Sequence, residues 1–551
     1  MSTTRVRSTT ALAMMVTGLV VGASSLCRAG ALPASQDRFS ADNRPRLVVG
    51  IVVDQMKFEY LPRFWTKFGD GGFKRLVNGG YVFTNHHYNY FPTYTAPGHA
   101  SIYTGATPAV HGIVGNDWYD RSRGKLRYVV QDDSVDTVGA DDAAGKMSPR
   151  SLLSTTVTDE LKKSVPGAKV VSLSIKDRAA ILPAGHLADQ VFWYDFDTGD
   201  FITSTWYAHE LPDWVRKFNE QGLALEYSHR TWEPLLPLAE YTESDEDGAA
   251  HEHPLEGEEA PVFPHEMQGS LSRIVTSPFA DELLGSFTKA AVDAVELGAD
   301  EATDFLALSF SPPDYVGHRF GPRSVEIEDM YLRLDRQLAG ILSYLDEKVG
   351  KGNYLLFLTA DHGVVEVPQS LMSRGLPGGD FDSRTMVQKL QVYLQQKYGD
   401  GEWVARYVNQ QVYLNRELIE QRGLTLNLLQ DDVAGFLRRF QGVVATNTAH
   451  RYAAAEYVDG LESFYQKGFF AARSGDVFIH LGPGWLDSKH RTSHGSPYNY
   501  DTHVPLIFYG WQVPQGSSNR RTVTPQIAPT ISGMLHIPAP SGSFDPPLAF
   551  E

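Results

Sequence analysis

Thr95 opens the segment Thr-Ala-Pro-Gly-His (95–99), and three later segments carry candidate metal ligands. These are Pro-Pro-Asp-Tyr-Val-Gly-His (312–318), Thr-Ala-Asp-His-Gly (359–363) and Ser-His-Gly (493–495). A Thr hydroxyl is a poor nucleophile at neutral pH and needs a base or a metal to become an alkoxide. Asp54, at the end of an apolar run, adds a carboxylate that could help to hold such a metal. Asp314 and His318 are four apart, so one helical turn presents them on the same side. With His494 they make three N/O ligands and leave a fourth position open, as catalytic zinc requires. Asp361 and His362 are adjacent, and a turn after a strand lets successive side chains converge on one ion. Asp54 and Thr95 would complete the coordination of that second ion. The only Cys is Cys27, so any zinc must be held by His and carboxylate. Imidazole mixed with carboxylate favours Zn²⁺, with Mn²⁺ or Co²⁺ as substitutes. These residue types together suggest two-metal hydrolysis of a phosphate ester.

The elements that must position them are buried strands. Leu47–Val53 is a continuous β-branched run, the pattern of a strand covered on both faces. Similar runs occur at 168–175, 304–310, 354–358 and 504–509, and helical apolar spacing separates several of them, at 280–297 and 325–347. The alternation predicts an α/β fold with a mostly parallel central sheet flanked by helices. Asp54, Lys176, Asp314 and Asp361 each fall within a few residues of the C-terminal end of a predicted strand, the edge where open α/β sheets bind ligands. Two intervals interrupt the pattern. Residues from about 187 to 280 read as a cap insertion, and residues from about 370 to 480, with helical stretches at 384–398 and 427–440, as a smaller α+β subdomain. The first interval carries the acidic runs 243–247 and 252–259. These lack EF-hand spacing and read as solvated loop, with calcium binding left open. There is no internal repeat.

Composition places the chain among ordinary globular proteins, with 42% hydrophobic and 21% charged residues in 551. Arg5 and Arg7 precede a short apolar run (11–25), and Ala29-Gly30-Ala31 offers small residues for cleavage. Residues 1–31 therefore read as a signal peptide and 32–551 as the catalytic chain. The expected location is periplasmic or secreted, with no stable membrane association after cleavage. Beyond Cys27 no Cys remains, so disulfides cannot stabilise the exported chain. The formal charge is −17, and losing the first 31 residues, with three Arg and no acid, makes it more negative still. Such a field repels nucleic acid but not a small anion entering a metal-lined pocket.

Asp54, Thr95–His99, Asp314, His318, Asp361-His362 and His494 resemble, in order and spacing, the metal and nucleophile motifs of the alkaline phosphatase superfamily. His-Gly-Ile-Val-Gly-Asn (111–116) and Ser-Ile-Lys-Asp-Arg (174–178) resemble the phosphate-irrepressible branch of bacterial periplasmic alkaline phosphatases. The resemblance implies that Thr95 becomes phosphorylated, with one zinc at Asp54, Asp361 and His362 and another at Asp314, His318 and His494. It implies that Asn116, Lys176 and Arg178 bind the non-bridging phosphoryl oxygens of small phosphate monoesters, in a monomer. A monoester is a dianion and a diester a monoanion, so the Lys176/Arg178 pair speaks for the former. The rival readings are a phosphodiesterase or nucleotide pyrophosphatase of the same superfamily, a sulfatase, which would need Cys or Ser at position 95, and a non-catalytic metal or phosphate binder. His99 is expected to pack behind Thr95 rather than bind metal, and His494 is preferred to His503 as the last ligand.

Overall fold

The computed structural model describes residues 44–487 and 492–551. The expected signal peptide lies outside the described residues. Ten strands form the central sheet: β1 (Leu47–Val53), β2 (Tyr81–Phe83), β3 (Thr137–Val138), β4 (Val170–Ser174), β5 (Gln190–Tyr194), β6 (Phe201–Ser204), β7 (Asp304–Phe310), β8 (Tyr354–Thr359), β9 (Leu506–Gly510) and β10 (Gly516–Ser518). Their order is β10-β2-β9-β8-β1-β7-β4-β5-β6-β3. The α/β expectation holds. The five strands β8, β1, β7, β4 and β5 run parallel, whereas β9 is antiparallel to β8 and β2, and β6 to β5 and β3. The sheet is thus mixed, with five adjacent parallel strands in its middle and a further parallel pair, β2 and β10, at one edge.

β1, β7 and β8 are buried at every position, which is why they read as unbroken apolar runs. Alternate residues feed two cores. Val49, Ile51, Leu306, Leu308, Leu356 and Leu358 face one side; Val48, Val52, Phe305, Ala307, Leu355 and Phe357 face the other. Each of the larger side chains contributes about 1.5–3 kcal/mol when fully buried. The long helices Phe279–Val295 and Val325–Leu345 pack on the first face, close to the ranges their periodicity predicts. Ser324 caps the second, accepting from the Ile327 N–H.

The interval 187–280 is not set apart as a cap. Its first part supplies β5 and β6 to the sheet, and Trp232, Tyr241, Phe263 and Met267 join the same core as β1. Several of its aromatic residues, among them Phe192, Phe201, Phe218 and Tyr227, are likewise buried in that core. Farther along, Val404–Val408, Gln411–Leu414, Val477–Leu481 and Val443–Thr448 form an antiparallel four-stranded sheet. Helices Ser383–Tyr398 and Leu426–Leu437 pack on it through Met386, Leu390, Leu394, Leu429, Val433 and Leu437. This is an α+β unit with a core of its own. Among the described residues no helix is long and apolar enough to cross a membrane.

Candidate active site and metal centre

Because β8, β1, β7 and β4 are adjacent and parallel, the residues that follow them collect at one edge. Asp54 follows β1 directly, its N–H bonded to the Phe310 carbonyl of β7 at 2.9 Å. Asp361 and His362 follow β8. After β7, Pro312 and Pro313 start helix α3 (Pro312–Phe320), where proline is tolerated because the first N–H groups need no partner. Asp314 and His318 then meet one turn apart, with His318 Nε2 3.1 Å from Asp314 Oδ1.

Three histidines share one arrangement. Nδ1 of His318, His362 and His494 contacts the main-chain carbonyls of Thr492, Gly363 and Thr93 at 3.2, 2.9 and 2.8 Å. A carbonyl only accepts, so Nδ1 carries the proton and Nε2 turns inward. His362 Nε2 lies 3.4 Å from Asp54 Oδ1 and 3.5 Å from Asp361 Oδ2, and His494 Nε2 lies 3.7 Å from Asp314 Oδ1. Burial depresses His362 to about 3 and His494 well below its usual range, so both rings are neutral. Two bare lone pairs therefore face carboxylate oxygens, an acceptor-to-acceptor contact that a cation would satisfy. Asp54 Oδ1, Asp361 Oδ2 and His362 Nε2 are buried and have no hydrogen-bond partner. Their donor set fits a divalent metal.

The ligand atoms form two overlapping groups, Asp54–Asp361–His362 and Asp314–His362–His494, each within 4.8 Å. His362 thus belongs to both, while His318 is tied to the second through Asp314. Among the described residues these are the only groups of this kind, so the acidic runs at 243–259 offer no comparable calcium cluster. His503 is elsewhere. It contacts the Thr84 carbonyl at 3.0 Å and stacks on His87, whereas His494 is grouped with Asp314 and His362.

Thr95 is the first residue of helix α1 (Thr95–Thr104) and is buried. The helix lies so close against the turn after β8 that a Cβ on Gly98 would collide with the Asp361 carbonyl oxygen. His99 uses both nitrogens at 2.8 Å, one on the Thr95 carbonyl and one on Ser309 Oγ. It packs behind Thr95, as its spacing suggests. Asn116 accepts the Ala96 N–H at 2.9 Å, satisfying one of the orphan donors of the first turn of α1. That assigns its oxygen to the helix and leaves its NH₂ for a ligand.

Lys176 precedes helix α2 (Asp177–Ala184) and is buried. Its Nζ bridges Asp314 Oδ2 at 2.6 Å and Asp54 Oδ2 at 2.7 Å. Burial alone would lower Lys176, but Asp314 and Asp54 override it and hold the ammonium above its ordinary range. Burial likewise raises Asp54 and Asp361, while His318 and Lys176 keep Asp314 low despite burial. Arg178 Nη1 donates to Tyr128 Oη at 3.1 Å, and Tyr128 donates in turn to Asp177 at 2.5 Å. Lys176 also lies 4.7 Å from the centre of the Tyr315 ring. Sequence reasoning misses Gln55, Tyr128 and Tyr315. Only Tyr315 lies inside a quoted motif, and their partners are remote in the chain.

Comparison with known proteins identifies the family. Residues 48–503 match the family described as type I phosphodiesterase / nucleotide pyrophosphatase. The chain is 43% identical to the alkaline phosphatase PafA of Elizabethkingia meningoseptica over 92% of this chain and 94% of that one. It is also 43% identical to the alkaline phosphatase PhoV of Synechococcus elongatus, over 91% and 92% respectively. A crystal structure of wild-type PafA aligns with a TM-score of 0.89, covering 92% of this chain and 98% of that one at 43% identity. The chain belongs to the type I phosphodiesterase / nucleotide pyrophosphatase family of the alkaline phosphatase superfamily, in company with PafA-like alkaline phosphatases.

Proposed function

We propose that this chain is an alkaline phosphatase that hydrolyses small phosphate monoesters through a phospho-threonine on Thr95. The observation that carries this reading is the convergence of unpartnered Asp54, Asp361 and His362 atoms beside the helix that begins at Thr95. Two zinc ions, one held by Asp54, Asp361, His362 and Thr95 and one by Asp314, His318 and His494, would ionise the attacking oxygens and offset phosphoryl charge. Mn²⁺ or Co²⁺ suits the same ligands.

Thr95 Oγ1 attacks phosphorus in line with the ester oxygen, the P–O ester bond breaks, and the alcohol departs. Water then cleaves phosphate from Thr95. Asn116 presents its NH₂, oriented by the Ala96 N–H, to a non-bridging oxygen. Lys176 supplies a point charge and Arg178 a planar fork, which Tyr128 steadies from one side. Burial of Lys176 and partial burial of Arg178 make these charges count for more than they would in water. The two cationic side chains suit a dianionic monoester better than a monoanionic diester, and this separates the proposal from the phosphodiesterase reading that the family description also covers. Export to the periplasm or beyond fits the leader reading of residues 1–31 and the lack of Cys beyond it.

Acid quenching during turnover of a ³²P-labelled monoester should trap label on Thr95. Full turnover with no label on the chain at any time would contradict the two-step reading.

A further inference from the structure

We propose that Gln55 is a positioning residue that holds the two ligand groups in register with each other. The inference rests on reading the site as a metal centre. Gln55 follows Asp54, is 2% exposed, and has a φ of +67°, a region that side chains other than Gly rarely enter. A buried polar residue held there marks a constraint imposed by its surroundings.

The unusual backbone puts the two ends of the residue on different carboxylates. Its main-chain N–H donates to Asp361 Oδ1 at 3.1 Å, and its side-chain Nε2 donates to Asp314 Oδ1 at 2.5 Å. An ionised carboxylate only accepts, so Nε2 is the end that must face Asp314. Oε1 then occupies the space beside residue 317, where a Cβ would collide with it. Gly317 lies on α3 between Asp314 and His318, so the absence of a side chain there is what admits Gln55. Asp361 belongs to one ligand group and Asp314 to the other. One residue therefore orients a carboxylate in each, without itself being a ligand. Partners of this kind fix ligand orientation and tune metal affinity.

The arrangement predicts an asymmetric effect. Gln55→Ala and the volume-conserving Gln55→Met both remove the bond to Asp314 and keep the main-chain bond to Asp361. Equilibrium zinc competition against a chromophoric chelator, on folded protein checked by circular dichroism, should show two zinc per wild-type chain. In either variant one site should weaken by about 10–100-fold while the other stays within threefold. Gly317→Ala should reproduce the loss by expelling the Gln55 side chain. Gln55→Ala combined with Gly317→Ala should be no worse than either alone, because the shortened side chain at position 55 leaves room for the methyl group added at position 317. Wild-type affinity at both sites in Gln55→Met would overturn the role while leaving the metal centre intact. A wild-type chain that takes up no zinc would overturn both.

Discussion

His362 at the candidate metal centre and His265 against Glu258 of the acidic run sit in equally dry, acid-rich surroundings, both fully buried. They use their rings differently. His362 places Nδ1 on a main-chain carbonyl and leaves Nε2 unpartnered among carboxylates. His265 places Nδ1 on Glu258 at 3.1 Å and Nε2 on Glu326 at 3.2 Å, walled by Trp232, Phe263 and Phe320. Burial would lower His265, but hydrogen bonds to Glu258 and Glu326 lift it to about 9. The first ring is neutral and keeps a lone pair open to a metal, as the proposal requires, and the second is itself the cation. What a buried histidine does is decided by what holds its second nitrogen, not by how many acids surround it.

The comparison can be broken most severely at the catalytic end. Thr95→Ala should lower kcat/KM on an aryl phosphate by about 10⁵-fold or more, as loss of a nucleophile does, while zinc content stays at the wild-type level. Near-wild-type turnover would refute the nucleophile assignment. Next come the two histidines themselves. His362→Ala should lose zinc and cost on the order of 10³ in kcat/KM, whereas His265→Gln should keep both zinc ions and stay within about threefold, judged by metal analysis and steady-state kinetics. Equal zinc loss in both variants would erase the distinction.

A smaller effect sharpens the substrate side. Arg178→Ala should cost about 10²–10³ on a monoester and less than tenfold on a diester. Equal losses would end the charge-matching argument. The smallest effect is on stability. The His265 ion pair contributes in full below its unfolded pKa of 6.5 and is lost as pH rises through about 9. Burial, with Glu326 and Asp247 close by, pushes Glu252 from 4.5 up to about 9. It folds as the neutral acid, so its ionisation in the unfolded chain also draws stability down over the same window. The melting temperature of zinc-saturated protein should therefore fall by a few degrees between pH 6.5 and 9, and His265→Gln should flatten that slope. An unchanged slope in the variant would contradict the ion-pair account.

Much of the centre is legible in the sequence because buried parallel strands are written as unbroken apolar runs. Asp54, Asp314 and Asp361 stand just past such runs, and Asp314 and His318 carry helical spacing. Lys176 also falls near a strand end, but the roles of Asn116, Lys176 and Arg178 are legible only through family resemblance. Gln55 is not legible at all, since its role depends on a left-handed backbone angle and on the missing side chain of Gly317. His265 is equally silent, with its acidic partners 7 and 61 residues away. β5 and β6 escape notice because short strands in an aromatic, acidic interval look like an insertion until the core they complete is seen. The antiparallel direction of β9 is a property of chain path, which no local pattern records.

The most direct test of the account is kcat/KM of the zinc-loaded protein on 4-nitrophenyl phosphate and bis(4-nitrophenyl) phosphate measured side by side. The account predicts a strong preference for the monoester, on the order of 10²-fold or more, from the buried charge of Lys176 and the half-buried charge of Arg178. A preference for the diester would leave the fold and the metal centre standing and contradict the assignment as a phosphate monoesterase.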